Sequence, residues 1–596
     1  MILHPPSAKI RNFYPTTTEQ QRQKGLSGVF TSIVLFRVSE LKPLTGRSLY
    51  QRYRNYKDAE QDLKDLTVLL KNHWLKIEAK LGLIKDLQDV LGETLHQHFT
   101  ELFEILIRKL GEAQHKIESV DRKQGRLKRA KFAALVKESL EAAITELDKW
   151  QAQVELPYYL MARISNPRVD EKLAAVTQRS RGDTKGAEEI KRLRDTMKSE
   201  SDGGGTTPRG GEGGWAGRGG KSCWVEASRL SDGGRVVDPY ASSELKLVKL
   251  AGKEYLADII LIKNLPDEGQ MAMAGIRDVA RILAQSEPLT FGILKCYGVV
   301  KELRNHKSEI VFQVLFSIPD KLDQPRSLRS YLTAAQDERR TKYPLNERFA
   351  LAKRVARSVM FVHTSNLVHK SVRPDTIVLF QDRKSLLGVP FLVGFQKIRP
   401  ASGATTMVSD AEWEKDLYRH PTRQGLKPED TYKMQHDIYS LGVLLLEIGL
   451  WTSFVHWNGE HKRFEPGPEL KVDADTLAMK DVKRKANIIK GLLLKMAMEL
   501  LPGAMGPKYA EVVISCLTCL DRGNDKFESE EGLVDEDGIV VGVRYVEIMR
   551  AVTDEMGFFC GGVLGCDETR GNRGLKLIHV REAKLTVPLS GQKKSG

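Results

Sequence analysis

Upstream of position 160 the apolar residues recur at intervals of three and four. Leu63, Leu66, Leu70, Trp74, Ile77 and Leu81 form one series, and Leu83, Leu87, Val90 and Leu91 a second. Phe99, Phe103, Leu106 and Leu110 follow, and after a basic break the pattern resumes with Leu135, Leu140, Ile144, Leu147 and Trp150. Such spacing gathers apolar side chains on one helix face. With little glycine or proline over 55–155, it predicts an all-α bundle of about four to six helices. No regular Glu-x-x-His pairs occur on these faces, so a di-metal site is not expected.

Further along the texture changes. YLADIILI (255–262) and IVFQVLF (310–316) are short apolar runs bounded by turn residues, and they predict strands. Residues 277–285 predict a helix between them, and 346–362 another. A β-rich piece followed by a helix-rich piece predicts an α+β domain of two lobes. Between the two halves, from Gly203 to Gly220, ten of eighteen residues are glycine. Such a stretch buries too little apolar area to offset its ordering entropy, and it predicts a flexible linker.

Composition narrows the class. The 596 residues are 41% hydrophobic and 29% charged, which excludes a disordered chain, a collagen-like fibre and a disulfide-rich miniprotein. No run of about 18 apolar residues is present, so no spanning helix is expected. The six cysteines suggest no disulfide framework, which fits a reducing, cytoplasmic setting. Cys516 and Cys519 have CxxC spacing but no second pair nearby, and they read as core cysteines of one helix. The N-terminus lacks a secretory h-region.

Lys and Arg number 93 against 78 Asp and Glu, a net charge of +15. No nucleic-acid partner is expected, because no single basic surface collects the charge. The two RGG triplets at Arg209 and Arg218 lack repeats and interleaved aromatics. Gly220-Lys221-Ser222 is not a phosphate loop, since Trp215 stands where that motif needs glycine. Six of the eleven residues in DRKQGRLKRAK (121–131) are basic. The segment reads as a solvated helix end or loop, or as a contact for anionic lipid or nucleic acid. The apolar block from Gly25 to Phe36 reads as a first core element or as a membrane-active segment.

FVHTSNLVHKSVRPDTIVLF (361–380) resembles the catalytic loop H-R-D-L-K-P-x-N-I-L of protein kinases. His369, Lys370, Arg373, Pro374 and Ile377 match in type. DIYSLGVLLLE (437–447), with Asp437, Ser440, Gly442 and Glu447, resembles the helix start D-x-x-S-x-G-x-x-L-x-E of that family. YRHP, ending at Pro421, resembles the close of its activation segment. The resemblance covers about 240–555 and implies a two-lobed protein-kinase-like fold.

The chemistry implied by the family is missing. Its catalytic Asp falls on Ser371, its metal-binding Asn on Thr376, and its magnesium-binding Asp-Phe-Gly on Gly394, Phe395 and Gln396. Phosphoryl transfer needs a group to orient the hydroxyl and ligands for magnesium. The expectation is therefore a pseudokinase with no intact catalytic residue and no metal site, leaving ATP binding open. Asp375 and Asp382 are the nearby acids through which an active, divergent Ser/Thr kinase would have to work. Lys263 reads either as a surface lysine closing a strand or as the phosphate-pairing lysine. Its nearest acidic candidate, Asp278, is on the following helix.

The front half, GLSGVFTSIVLF followed by GRSLYQRYRNYKDAEQDLKDLTVLLKNHW, resembles the HeLo-type helical domains of filamentous fungi. LVKESLEAAITELDKWQAQVELPYYL resembles their closing helices. That resemblance implies fungal incompatibility or cell-death signalling. A bundle before a pseudokinase also resembles the mixed-lineage-kinase-like executioners of animal necroptosis. The expected layout is a disordered extension over 1–23, a HeLo-like bundle over 24–175 and a linker over 176–225. A kinase-like domain then spans 226–555, followed by a tail over 556–596. Expected partners are proteins, a second copy, or an anionic membrane surface met by Gly25 to Phe36 and Arg122 to Lys131. Peripheral attachment at membranes would follow.

Overall fold

In the computed structural model the described residues run from 61 to 194 and from 223 to 524, with short interruptions in each stretch. The extension 1–23, the block 25–36, the glycine-rich stretch, most of the basic segment 122–131 and the tail 556–596 lie outside them.

The first stretch is helical. Of four helices, α1 (Gln61–Leu87), α2 (Glu93–Asp121) and α3 (Arg129–Leu160) fall on the apolar series, and α4 (Pro167–Thr177) lies beyond the last of them. α3 packs against both α1 and α2, and α4 packs against α1. Leu70, Trp74, Ile77, Ile84, Phe99, Leu102, Leu106, Leu140, Leu147 and Trp150 are buried. Each such side chain contributes about 1.5–3 kcal/mol on burial. Polar ties fix the register. Trp150 Nε1 donates to the Leu102 carbonyl at 2.6 Å. Arg194, 2% exposed, donates to both Asp170 carboxylate oxygens at 2.9 and 3.1 Å and to the Ala162 carbonyl at 3.1 Å. Lys172 on α4 reaches the Asp86 carbonyl and the Asp89 carboxylate beside α1.

The second stretch mixes sheet and helix. β1 (Trp224–Val225), β2 (Arg235–Val236), β3 (Leu245–Leu250), β4 (Lys253–Lys263), β5 (Lys295–Arg304) and β6 (Glu309–Ser317) form one sheet in the order β1-β5-β6-β4-β3-β2. Every pairing is antiparallel except that of β1 with β5. β4 and β6 lie on the two apolar runs read as strands. α5 (Pro266–Leu283) joins β4 to β5 and packs on β5. It contains most of the predicted helix at 277–285 but starts earlier, at Pro266.

β6 leads into a helix-rich half. A short helix, α6 (Pro288–Phe291), precedes β5, and β7 (Asp323–Ser327) follows β6. Then come α7 (Leu328–Asp337), α8 (Leu345–Thr364), β8 (Leu367–Val368), β9 (Ile377–Gln381), β10 (Val389–Leu392) and β11 (Arg399–Pro400). α9 (Trp413–Asp416), α10 (Met434–Leu450), the hairpin β12 (Val455–Asn458) and β13 (Arg463–Pro466), and α11 (Ala474–Ala478) follow. α12 (Val482–Glu499), α13 (Leu501–Met505) and α14 (Pro507–Leu517) complete it.

α10 is apolar nearly all round and is buried on every side from Met434 to Gly449, as such a sequence requires. α8 and α14 pack against it. Gly442 sets the close approach of α14, because a Cβ there would stand 2.9 Å from Cys516 Cβ and 3.1 Å from the Leu517 amide nitrogen. Cys516 and Cys519 are both fully buried, and Cys519 Sγ donates to the Gln435 carbonyl, so they are core residues as the sequence suggested.

Candidate functional site

The motif residues converge on the loop between β8 and β9. β8 pairs with β11, and a 3₁₀ turn (Pro374–Thr376) carries the chain into β9. Between them Lys370 takes a positive φ of 65°. Asp437, at the first turn of α10 and 0% exposed, holds this bend. It accepts from the His369 and Lys370 backbone N–H groups at 2.7 and 2.8 Å, and from Tyr432 Oη at 2.7 Å. His363 Nε2 lies 3.1 Å away. Burial works to raise its pKa, but the His363 contact and the other donors win, so Asp437 stays below the usual carboxylate range. His369 is buried too, and burial pushes its ring down to about 4, so it is neutral at physiological pH.

The next residues close the loop on itself. Thr376 Oγ1 donates to the Ser371 carbonyl at 2.7 Å and accepts from the Arg373 N–H at 3.2 Å. Ser371 is half-buried, with Arg373 Nη1 3.5 Å from its hydroxyl. Across from Thr376 stands Gly394, whose N-terminal neighbour Val393 donates to the Thr376 carbonyl at 2.8 Å. Gly394 has a φ of 86°, and a Cβ there would lie 2.4 Å from Thr376 Cγ2. The two positions that the kinase resemblance would assign to magnesium ligands are therefore neighbours, with the Thr376 methyl group beside Gly394. Phe395 follows, its ring packed between His369 (centroids 5.1 Å apart) and Phe316 of β6 (5.7 Å). Gln396 lies outside the described residues.

Both nearby acids have other tasks. Asp382 accepts from the Ser385 N–H at 2.8 Å in the β9–β10 turn. Asp375 belongs to a buried ionic node at the start of α7. There Arg329, 4% exposed, donates to Asp375 at 3.2 Å, Glu447 at 3.1 Å, Ser453 Oγ at 2.7 Å and Tyr418 Oη at 2.7 Å. Tyr418 donates onward to Glu447 at 2.8 Å, and Arg373 lies 3.4 Å from Asp375. Burial alone would raise the Asp375 pKa, but Arg329 and Arg373 hold it below the usual range. For Glu447 burial outweighs the attraction of Arg329, and its pKa is raised.

Pro421 is buried at the start of a 3₁₀ turn, and Ser440 on α10 donates to the Tyr418 carbonyl at 2.7 Å. These contacts seat the segment that resembles the end of a kinase activation segment on α10.

Lys263 ends β4, paired with Glu309, in strand parity with Tyr255, Ala257 and Ile259, which belong to a separate core with residues of β3, β5 and β6. The β4 residue that reaches the loop is Asp258. It is 0% exposed and accepts from the Phe395 N–H at 2.7 Å. The sequence reading missed it, although a lone acid inside the apolar run YLADIILI was the available signal. Asp278 sits beside Arg277 and Arg281 on α5.

Among the described residues no group of three or more His, Cys, Asp or Glu is placed to hold a metal ion, and no helix is long and apolar enough to cross a membrane. No family model and no curated protein matches this chain.

Proposed function

We propose that the chain is a non-catalytic signalling protein, in which a degenerate protein-kinase-like unit acts as a switch on a HeLo-like helical bundle. The observation that carries the reading is the contact of Thr376 with Gly394. Where phosphoryl transfer would need a carboxylate and an amide on magnesium, this chain offers a methyl group against a glycine. Ser371, in the place of the orienting acid, is engaged with Arg373 and through its carbonyl with Thr376. The order of elements supports the kinase-like half of the reading: a mostly antiparallel sheet with α5 and the short α6 between β4 and β5, then a helix-rich half containing a buried helix that carries Asp437. The four amphipathic helices of the first stretch support the other half.

In this reading the bundle is the effector. It acts on protein partners, on a second copy, or at an anionic membrane through Gly25 to Phe36 and Arg122 to Lys131. The setting is cytoplasmic and peripheral to membranes, in incompatibility or cell-death signalling. Incubating the full chain with labelled ATP, magnesium or manganese and generic protein substrates tests the proposal. No incorporation is expected. Label that disappears in Ser371→Ala or Asp375→Ala variants would establish an active, divergent kinase instead.

A further inference from the structure

We infer that the chain itself clasps the junction between the six-stranded sheet and the loop at 393–395, through Asp258, and that this junction takes no nucleoside triphosphate. The inference rests on the pseudokinase reading and specifies how that unit is regulated. Three observations carry it. First, Asp258 on β4 and the Phe395 N–H are 137 positions apart, both are buried, and they meet at 2.7 Å. A buried hydrogen bond to a carboxylate is among the stronger ones. Second, the Phe395 ring bridges the same gap, with Phe316 of the sheet on one side and His369 of the loop on the other. A short backbone contact adds to it, where Leu392 N–H donates to the Gly292 carbonyl at 2.8 Å beside α6. Third, the charge is wrong for a polyphosphate. A carboxylate occupies the inner face of β4, and the space beside Gly394 holds the Thr376 methyl group rather than a metal ligand.

The joint that a nucleotide would otherwise stabilise is thus already made of side chain and backbone.

The full chain provides the test. Its melting temperature is expected to be the same with and without ATP, in the presence or absence of magnesium or manganese. A rise with ATP would overturn the inference, and a rise without labelled phosphate transfer would do so while leaving the pseudokinase reading standing. In Asp258→Ala, hydrogen exchange of the Phe395 amide is expected to quicken about ten- to a hundredfold, with the bundle helices unchanged. If the alanine variant does not fold, Asp258→Asn carries the test, because it keeps the shape and one acceptor oxygen and replaces the other carboxylate oxygen by an uncharged NH2 group. Exchange at Phe395 is then expected to quicken several-fold. Unchanged exchange in the folded variant would remove the clasp from consideration.

Discussion

Replacing Arg329 by alanine removes the cation that two buried carboxylates share. Asp375 and Glu447 are 4% and 0% exposed, and neither can be rehydrated without opening the α7–α10 junction. The guanidinium also serves Ser453 and Tyr418, so the variant strands acceptors as well as charges. Breaking a buried pair by deleting one partner costs about 3–5 kcal/mol. At 1.36 kcal/mol per decade, α10 amides that exchange only by global opening of this unit should quicken by about two to three and a half orders of magnitude at neutral pH. The pH dependence gives a second, independent check. In the native chain Asp375 titrates below its unfolded value, so its share of the stability is present at neutral pH and is lost as pH falls through its folded pKa. In the variant Glu447 loses the attraction of Arg329 and should titrate still further above its unfolded value, while Asp375 keeps Arg373, so folding takes up a proton at Glu447 and the variant gains stability on acidification. The deficit should therefore shrink between neutral pH and about pH 5. Arg329→Lys should recover only part of the loss, because an ammonium has three donors and no planar fork. Hydrogen-exchange mass spectrometry of 438–448 at the two pH values measures both effects. A loss below about 1 kcal/mol, or a deficit equal at both pH values, would refute the argument that Arg329 compensates a buried charge pair.

Other expectations follow from the same contacts. Asp437→Ala strands the His369 and Lys370 amides and should destabilise the unit by about 3 kcal/mol, read as loss of exchange protection at those two amides. Gly394→Ala meets Thr376 Cγ2 and an unfavourable φ; it should cost about 1–3 kcal/mol, and adding Thr376→Ser should recover part of that in a double-mutant cycle by urea unfolding. Gly442→Ala presses on α14 backbone as well as on Cys516, and should lower the melting temperature by an amount equivalent to about 1–3 kcal/mol. Trp150→Phe keeps the bulk but drops the bond to Leu102, and should cost the bundle about 1 kcal/mol in urea unfolding.

The helices of the first stretch were legible because an apolar stripe at 3.6-residue spacing is a local signal, and Leu70, Phe99, Leu140 and Trp150 all lie on it. β4 and β6 were legible as uninterrupted apolar runs. β5, KCYGVVKELR, was not, because charged residues at both ends mask a short apolar centre and Gly298 weakens the strand pattern. That Ser371, Thr376 and Gly394 offer neither the two carboxylates nor the amide of the kinase motif they resemble was visible in the sequence alone. What replaces the chemistry was not. The Arg329 node joins residues 46 and 118 positions apart, and the Asp258 contact spans 137, distances over which no local pattern speaks. Lys263 drew attention because it ends the strand, yet strand parity sets it apart from Asp258 and leaves the inner face to the acid.

β1 gives the unit a mechanical character. It is two residues long, runs parallel to β5 at the border of the sheet, and is joined there by the bond from the Val299 N–H to the Cys223 carbonyl at 2.8 Å. Because β1 runs parallel to β5, a pull applied at Cys223 along the strand axis would load the bonds between them together in shear rather than one at a time. Gly298 permits the attachment, since a Cβ there would stand 2.7 Å from Val225 Cγ2. The strand that would take such a load is also the one against which α5 packs.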